Sequence, residues 1–430
     1  MNKSNKAKFF LNKLKKKSLA KDALWIISAR GISLLIRSVY FVMIARTLGV
    51  ENYGAFVSVI ALINILIPFA SWGSEFILLK NVSRNPQLFP EYWGKALLTI
   101  CVFGSFLIGF TLLNYPLFLT SKIPFLVVFF VAISDLLFSI TLKTAAKAFQ
   151  AVGKMNISAQ LEILPGITQL IAALCFVAYF SQKGIIAWAS LYAISTIVAT
   201  GVGVFLVQHH LGKPKLVISR IKAELDQGFY FSMSSSSSSI YSHIDQTMLA
   251  RLSTLQATGL YAAAYRLIDV AFVPIASLVF ASYPKFFKQG AKGIYSSFQF
   301  SKKLLPLGIA YSLAIGMCVL IFAPIVPYIL GEEYASSVEV LRWLAFLPLL
   351  RCLHCLAGNT LTGADLQGYR TIMQVSIALF NILLNLWLIP LYSWKGAVWS
   401  TLASDSLLAL GCWSIVSWYY FHRGRGGETS

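Results

Sequence analysis

Acidic residues are scarce in this chain: 16 Asp and Glu stand against 36 Lys and Arg in 430 residues. Charge of either sign is scarce as well, at 12%, where a soluble domain carries about 25%. With 57% hydrophobic residues, that shortage excludes an ordinary water-soluble fold. Cysteine is sparse and scattered, six in all, so no disulfide framework is implied. The one C-x-x-C, Cys352 and Cys355 with His354 between them, has no second pair to complete a metal site. It lies in an apolar run, where cysteine behaves as a small hydrophobe. No glycine-rich phosphate loop occurs, so the chain is not expected to hydrolyse ATP. No cofactor is implied. The N-terminus has no cleavable leader pattern, because the run from Leu24 to Ala45 is too long and lacks a small-residue cleavage site.

What the chain has in quantity is long apolar runs. A crossing of the hydrocarbon core takes about 20 apolar residues, and about twelve such runs occur: 24–46, 54–73, 96–115, 123–142, 161–181, 185–207, 229–251, 259–283, 305–330, 339–362, 371–390 and 396–421. They leave no room for a separate soluble domain. The formal charge of +20 is distributed as positive-inside topology and anionic-lipid contact require, not as a nucleic-acid surface. Eight lysines lie between Lys3 and Lys21. With the N-terminus in the cytoplasm, the internal loops hold Lys80 and Arg84; Lys143, Lys147 and Lys154; Lys213, Lys215, Arg220 and Lys222; and Lys285, Lys288, Lys292, Lys302 and Lys303. The tail adds Arg423 and Arg425. The outside loops hold little more than Lys122, Lys183 and Lys395, and one carries Glu332 and Glu333. The expected organisation is a basic cytoplasmic tail (1–23), a six-helix bundle (24–207), a cytoplasmic linker (208–228), a second six-helix bundle (229–421) and a cytoplasmic tail (422–430).

An internal repeat supports two bundles. Met43-Ile44-Ala45-Arg46, then Gly54-Ala55-Phe56, then Leu62-Ile63 recurs without a gap as Met248-Leu249-Ala250-Arg251, Gly259-Leu260-Tyr261 and Leu267-Ile268. The offset is about 205 residues, and six spans separate the copies, so the repeat is parallel. It also places the six serines from Ser234 to Ser239 inside span seven, opposite Ala29 to Leu34, and not in a flexible linker. Serines there let helices approach closely and bend.

Charge within a span normally faces a partner or a wet cavity. Arg30 and Arg37 lie in span one, which holds no acid. Seven residues is about two turns, so they share one face. Their counterparts in span seven are Ser235 and Ser242. Arg266 and Asp269 are three apart in span eight, where they can pair. Asp135 and Asp245 are candidate proton or cation sites. Asp405, Arg351 and His354 are further charges within spans. Arg46 and Arg251, with Arg342 and Glu162, read as end-of-span charges that reach the headgroups.

The chain resembles a known family. Leu330-Gly331-Glu332-Glu333-Tyr334, Leu344-Ala345, Gly358, Leu361, and Gly368 with Arg370 begin the pattern. Asn381, Asn385 to Pro390, Gly396-Ala397-Val398, Thr401 and Ala403-Ser404 continue it. Ala45-Arg46, Leu48-Gly49, Tyr53-Gly54 and Ser71-Trp72-Gly73 carry it in the first half. This is similar to the polysaccharide-exporter branch of the multidrug/oligosaccharidyl-lipid/polysaccharide flippase superfamily, the O-antigen flippases. The resemblance implies an all-α membrane fold of about 12 helices, two six-helix bundles in a V. It implies alternating-access transport of an undecaprenyl-diphosphate-linked oligosaccharide, an O-antigen or capsule repeat unit, from the cytoplasmic to the periplasmic leaflet of the bacterial inner membrane. Membrane lipids and other glycan-assembly membrane proteins are the implied partners, with no nucleic acid. A cationic cavity would receive the diphosphate, and Arg30, Arg37 and Arg266 are its candidates, since a guanidinium binds phosphate through two nitrogens. An ion gradient would drive the cycle, with Asp245, Asp269 or Asp135 as coupling groups. A cation-coupled multidrug exporter of the related branch is the first alternative, although its cavity would be acidic. A membrane glycan polymerase or ligase is the second, although the outside loops are short for acceptor binding.

Overall fold

The computed structural model describes the backbone of residues 3–215 and 221–423. It describes side chains from Gly31 onward, apart from 216–223, Tyr230, Ser234, Ser238, Phe280, Ala281 and 423–430. Arg30, the lysines from Lys3 to Lys21, Arg220, Lys222, Arg423 and Arg425 fall outside the described side chains. The helices are α1 (Lys3–Ser71), α2 (Ser74–Arg84), α3 (Phe89–Phe118), α4 (Phe125–Ile133), α5 (Ile140–Ala151), α6 (Met155–Cys175), α7 (Gly184–Leu211), α8 (Ile221–Leu252), α9 (Leu255–Gly290), α10 (Ile294–Phe322), α11 (Val326–Leu330), α12 (Ser337–Leu344), α13 (Leu347–Gly363), α14 (Gln367–Tyr392) and α15 (Trp394–Arg423). No strand occurs among the described residues.

Every apolar run of the sequence falls on helix. Runs one and two are the two parts of α1, broken at Gly49, whose φ of 74° suits glycine. Run four is α4, a π-helical turn over Ser134–Ser139, and α5. Among the described residues, eight stretches are long and apolar enough to cross a membrane; Gly31–Ser71, with 41 residues, and Met155–Leu211, with 57, are each long enough to cross twice. Large apolar side chains stand fully outward, with Leu113 83% and Tyr328 77% exposed. A belt of this kind belongs in hydrocarbon, where helices satisfy their own backbone polar groups. The chain is a multi-pass membrane protein.

One boundary moves. The seventh span begins in hydropathy near 229, but α8 begins at Ile221. Glu224, Asp226 and Gln227 depress hydropathy without breaking the backbone hydrogen bonds that define a helix. The six serines lie inside α8, as the repeat requires.

Two compact units can be distinguished. Unit 1 comprises Met1–Ile44, Leu66–Tyr115 and Pro124–Ser236. Its core gathers Trp93, Phe149, Leu161, Ala199 and Val207. The connection that precedes α8 and the start of α8 itself are fastened to this unit. The Lys215 N–H donates to the Pro90 carbonyl at 2.8 Å and Trp72 Nε1 donates to the Leu225 carbonyl at 2.9 Å. Lys95 Nζ reaches Glu91 at 2.7 Å and Glu224 at 2.9 Å.

Unit 2 comprises Ala45–Ile65, Pro116–Ile123 and Ser237–Ser430. Its cores hold Leu361, Leu408 and Val416, and Ile275 and Phe286, with Cys352 and Cys412 buried among them as small apolar groups. Within this unit the two repeat copies meet. A Cβ on Gly54 would lie 1.9 Å from the Leu255 carbonyl oxygen, and one on Gly259 would lie 2.0 Å from that of Val50. Gly54 and Gly259 are counterparts in the repeat, and so are Val50 and Leu255. Each glycine therefore seats the other copy's backbone, as in a two-fold contact between identical subunits. Next to it, the Val50 N–H donates to Glu333 Oε2 at 3.0 Å, and the Tyr334 hydroxyl donates to the Ala45 carbonyl at 3.0 Å. Burial pushes the Tyr334 hydroxyl well above its ordinary value, which keeps it a neutral donor.

Candidate functional site

In unit 1 the charges meet around the π-helical turn. Asp135 is the second residue of that turn and 5% exposed. Its two carboxylate oxygens accept from the Tyr192 hydroxyl of α7 at 3.0 and 3.2 Å, and Ser134 lies 3.5 Å away. A π-turn adds a residue to a helix and redirects the side chains after it. Tyr40, Trp188 and Tyr192 pack in sequence over this site, with ring centroids 5.7 and 6.3 Å apart.

Arg37 is exposed on α1, where its stem passes Gly166 of α6. Lys143 is the residue that sequence reasoning misplaced. It reads as a loop lysine after run four, but it sits inside α5. There it is in electrostatic reach of Asp135, Arg37 and Glu75. The signal was its spacing, eight residues or about two turns after Asp135. Glu75, in the first turn of α2, is 9% exposed and its Oε2 has no hydrogen-bond partner. Burial pushes its carboxyl above the usual range, against the pull of Ser71, Lys143 and Lys147. Arg37, Lys143 and Asp135 thus form one mixed-charge cluster in unit 1. The Arg30 side chain lies outside the described residues.

In unit 2 the candidate acids behave differently from each other. Asp245, 5% exposed, sits among neutral donors from three helices. Asn385 Nδ2 reaches Oδ1 at 2.6 Å, and the Thr401 and Tyr261 hydroxyls reach Oδ2 at 2.8 and 3.0 Å. Asn381 extends the network, accepting from Asn385 at 2.9 Å and donating to Ser400 and Ser404 at 3.2 Å. Asn385, Thr401 and Tyr261 satisfy the carboxylate as an anion; a proton or a small hard cation can be taken when the Asn385 amide and the two hydroxyls turn their oxygens toward it. Asp269 does not pair with Arg266, as the three-residue spacing suggests. It accepts from Arg351 Nη1 of α13 at 2.8 Å, and the other end of the same guanidinium reaches the Tyr265 hydroxyl. The i,i+3 rule sees one helix only, and a partner 82 positions on wins by coming straight across. Arg266 is half-buried instead, in electrostatic reach of Tyr53. Arg46, Arg251, Arg342 and Glu162 are exposed, as expected of end-of-span charges.

This all-helical arrangement is the fold of the MOP transporters. It matches a multidrug resistance MATE family transporter of that superfamily in an inward-facing conformation, with a TM-score of 0.76 and 13% identity over 94% of this chain and 99% of that one. It matches the lipid II flippase MurJ in an inward closed conformation with a TM-score of 0.75 and 12% identity, over 93% and 87% of the respective chains. The family described as Polysaccharide biosynthesis protein matches residues 19–289, and the chain belongs to that family. A relative from Escherichia coli (strain K12), described as "Putative O-antigen transporter", is 23% identical over 415 residues, 91% of this chain and 95% of the relative.

Proposed function

We propose that this protein is a flippase. It moves an undecaprenyl-diphosphate-linked oligosaccharide, an O-antigen or capsule repeat unit, from the cytoplasmic to the periplasmic leaflet of the bacterial inner membrane by alternating access. Both termini lie in the cytoplasm, and an ion gradient drives the cycle. The observation that carries the reading is the electrostatic proximity of Arg37 to Lys143 in a unit made of membrane helices. Both are exposed, with Asp135 and Glu75 the acids in electrostatic reach of Lys143, and a phosphate head is a further anion that a guanidinium and an ammonium can hold. The family membership and the O-antigen relative favour the same substrate class. In unit 1 Arg37 with Arg30 receives the diphosphate and Lys143 joins them; Arg266 is the candidate of unit 2. Asp245, in its ring of neutral donors, carries the coupling ion; Asp135 and Asp269 are the alternatives.

The test replaces Arg30 and Arg37 together by Ala, and separately by Lys, in cells lacking the native flippase. Surface glycan is measured at matched protein level. The double alanine variant should lose display by about tenfold or more, the equivalent of about 1.4 kcal/mol, and the lysine variant should retain part of it. Normal display in the double alanine variant removes the claim. Rising drug sensitivity on gene deletion, with glycan intact, points to the multidrug branch instead.

A further inference from the structure

One buried pair of titratable groups in unit 2 takes no part in the reading above. His354 of α13 faces Asp405 of α15, with Nε2 and Oδ1 3.1 Å apart. The His354 side chain is 16% exposed and that of Asp405 2%. Both facing atoms are fully buried, and they sit at ion-pair distance without the alignment of a hydrogen bond.

Among the described residues the imidazole is the cation at ion-pair distance from Asp405, while the Arg351 guanidinium is in electrostatic reach of it from farther away. Arg351, one turn before His354, is committed elsewhere: it holds Asp269 and Tyr265, with its guanidinium 4.8 Å over the Tyr265 ring. Arg370 of α14 donates to Thr362 at 2.9 Å and lies 3.4 Å from Asn359. Tyr241 of α8 faces Asp405, and its hydroxyl is buried without a hydrogen-bond partner. Tyr265 approaches from α9, Cys355 from α13 itself and Asp245 from α8.

A carboxylate this deep costs several kcal/mol unless a cation answers it. An arginine would answer it permanently, since it does not lose its proton. A histidine answers it only while protonated, and it changes state between about pH 5 and 8. With the imidazole neutral, the cation left to Asp405 among the described residues is the more distant Arg351, itself held by Asp269; with one proton added, the pair is neutral overall. That proton belongs to the pair, as imidazolium with carboxylate or as imidazole with carboxylic acid.

We propose that His354 and Asp405 form a proton-binding site, separate from the Asp245 network, that loads a proton from water on one side of the membrane and returns it to water on the other. Nothing is oxidised or reduced; one N–H or O–H bond forms on loading and breaks on release. Proton binding stands on the pair alone, and its coupling to transport rests on the flippase reading.

The test uses the full chain in lipid nanodiscs, titrated between about pH 5 and 8 while imidazole and carboxylic-acid bands are followed by infrared difference spectroscopy. The wild type should show a coupled imidazole–carboxyl titration. It should vanish in His354→Gln and in Asp405→Asn, and in His354→Lys, which keeps a fixed charge and guards against misfolding. An unchanged titration in all three variants overturns the site. In cells, glycan display by wild type should fall at least tenfold when the transmembrane pH difference is collapsed. Display by the folded His354→Lys protein should start low and change less than twofold. Equal sensitivity of wild type and variant overturns the coupling. Failure of the wild type to restore any glycan, with the infrared signal present, removes the flippase reading and leaves the proton site standing.

Discussion

The two copies of the opening helix pair share a backbone pattern and differ in chemistry. Both carry Met-x-Ala-Arg and Gly-x-aromatic, and both use the glycine to seat the other copy's chain. The first copy places arginines on its leading helix, where the second has Ser235 and Ser242. The second places Asp245 on its leading helix, where the first has Tyr40. The first half keeps its own buried acid, Asp135, on a different element altogether. Both acids nevertheless accept from a tyrosine hydroxyl, Asp135 from Tyr192 and Asp245 from Tyr261. Duplication has preserved the packing contact, where two backbones must fit each other. It has let the charged groups drift apart, as the proposed handling of an anion and a coupling ion at different places requires.

The glycine contact is where that symmetry can be broken most severely. Gly54→Leu and Gly259→Leu should each reduce glycan display by about tenfold or more, with stability falling by about 3 kcal/mol, the upper range for overpacking. The two effects should be equal, measured by display and by thermal unfolding in detergent. A large effect from only one of them breaks the two-fold reading. The charge asymmetry is tested by transplantation. Arg37→Ala should lower display about tenfold, and adding Ser242→Arg to it should restore none; recovery would show that side does not matter.

The carboxylates come next. Asp245→Asn keeps the shape and should abolish ion-dependent transport while the protein still folds. Tyr261→Phe and Tyr192→Phe each remove one hydroxyl donor and should cost about 1 kcal/mol of unfolding free energy. The Arg351–Asp269 pair separates a buried end from an open one, at 14% and 42% side-chain exposure. Arg351→Ala should cost about 3 kcal/mol, and Asp269→Asn about 1 kcal/mol; equal losses would contradict the difference in burial.

The smallest effect concerns Glu75. Burial raises its carboxyl in the folded protein, so the folded state holds a proton that the unfolded state gives up. Its favourable contribution is therefore complete below the ordinary value of 4.5 and is lost as pH rises through the raised folded value. Glu75→Gln should stabilise the protein at neutral pH and lose that advantage under acid, as read from unfolding midpoints across the pH range.

Sequence showed the spans well because hydrocarbon imposes a crude rule, about 20 apolar residues per crossing. It showed less where a helix outruns its apolar run. The polar start of α8 at Ile221 and the five residues beyond Leu142 that include Lys143 and Lys147 are helical without being hydrophobic. Lys143 looked like a loop cation because its partners, Asp135, Arg37 and Glu75, come from three other segments. The Arg351–Asp269 pair and the Asn385–Asp245 bond were hidden for the same reason: spacing along one helix says nothing about a neighbour reached through the fold.

The meeting of Gly54 with Gly259 also bears on speed. A joint closed by interlocking side chains must thaw and refreeze their rotamers each time it parts, and each long side chain ordered costs about 0.5–1.5 kcal/mol. Here the touching surfaces at the glycines are main chain against carbonyl oxygen, with the short, stiff Val50 side chain beside Gly259. Such a surface has few rotamers to melt. If the cycle parts this joint, the barrier falls on the flanking clasps, Glu333 on Val50 and Tyr334 on Ala45. The glycines then act as a bearing and the clasps as its brake, so turnover should be tuned at Glu333 and Tyr334 more readily than at the contact itself.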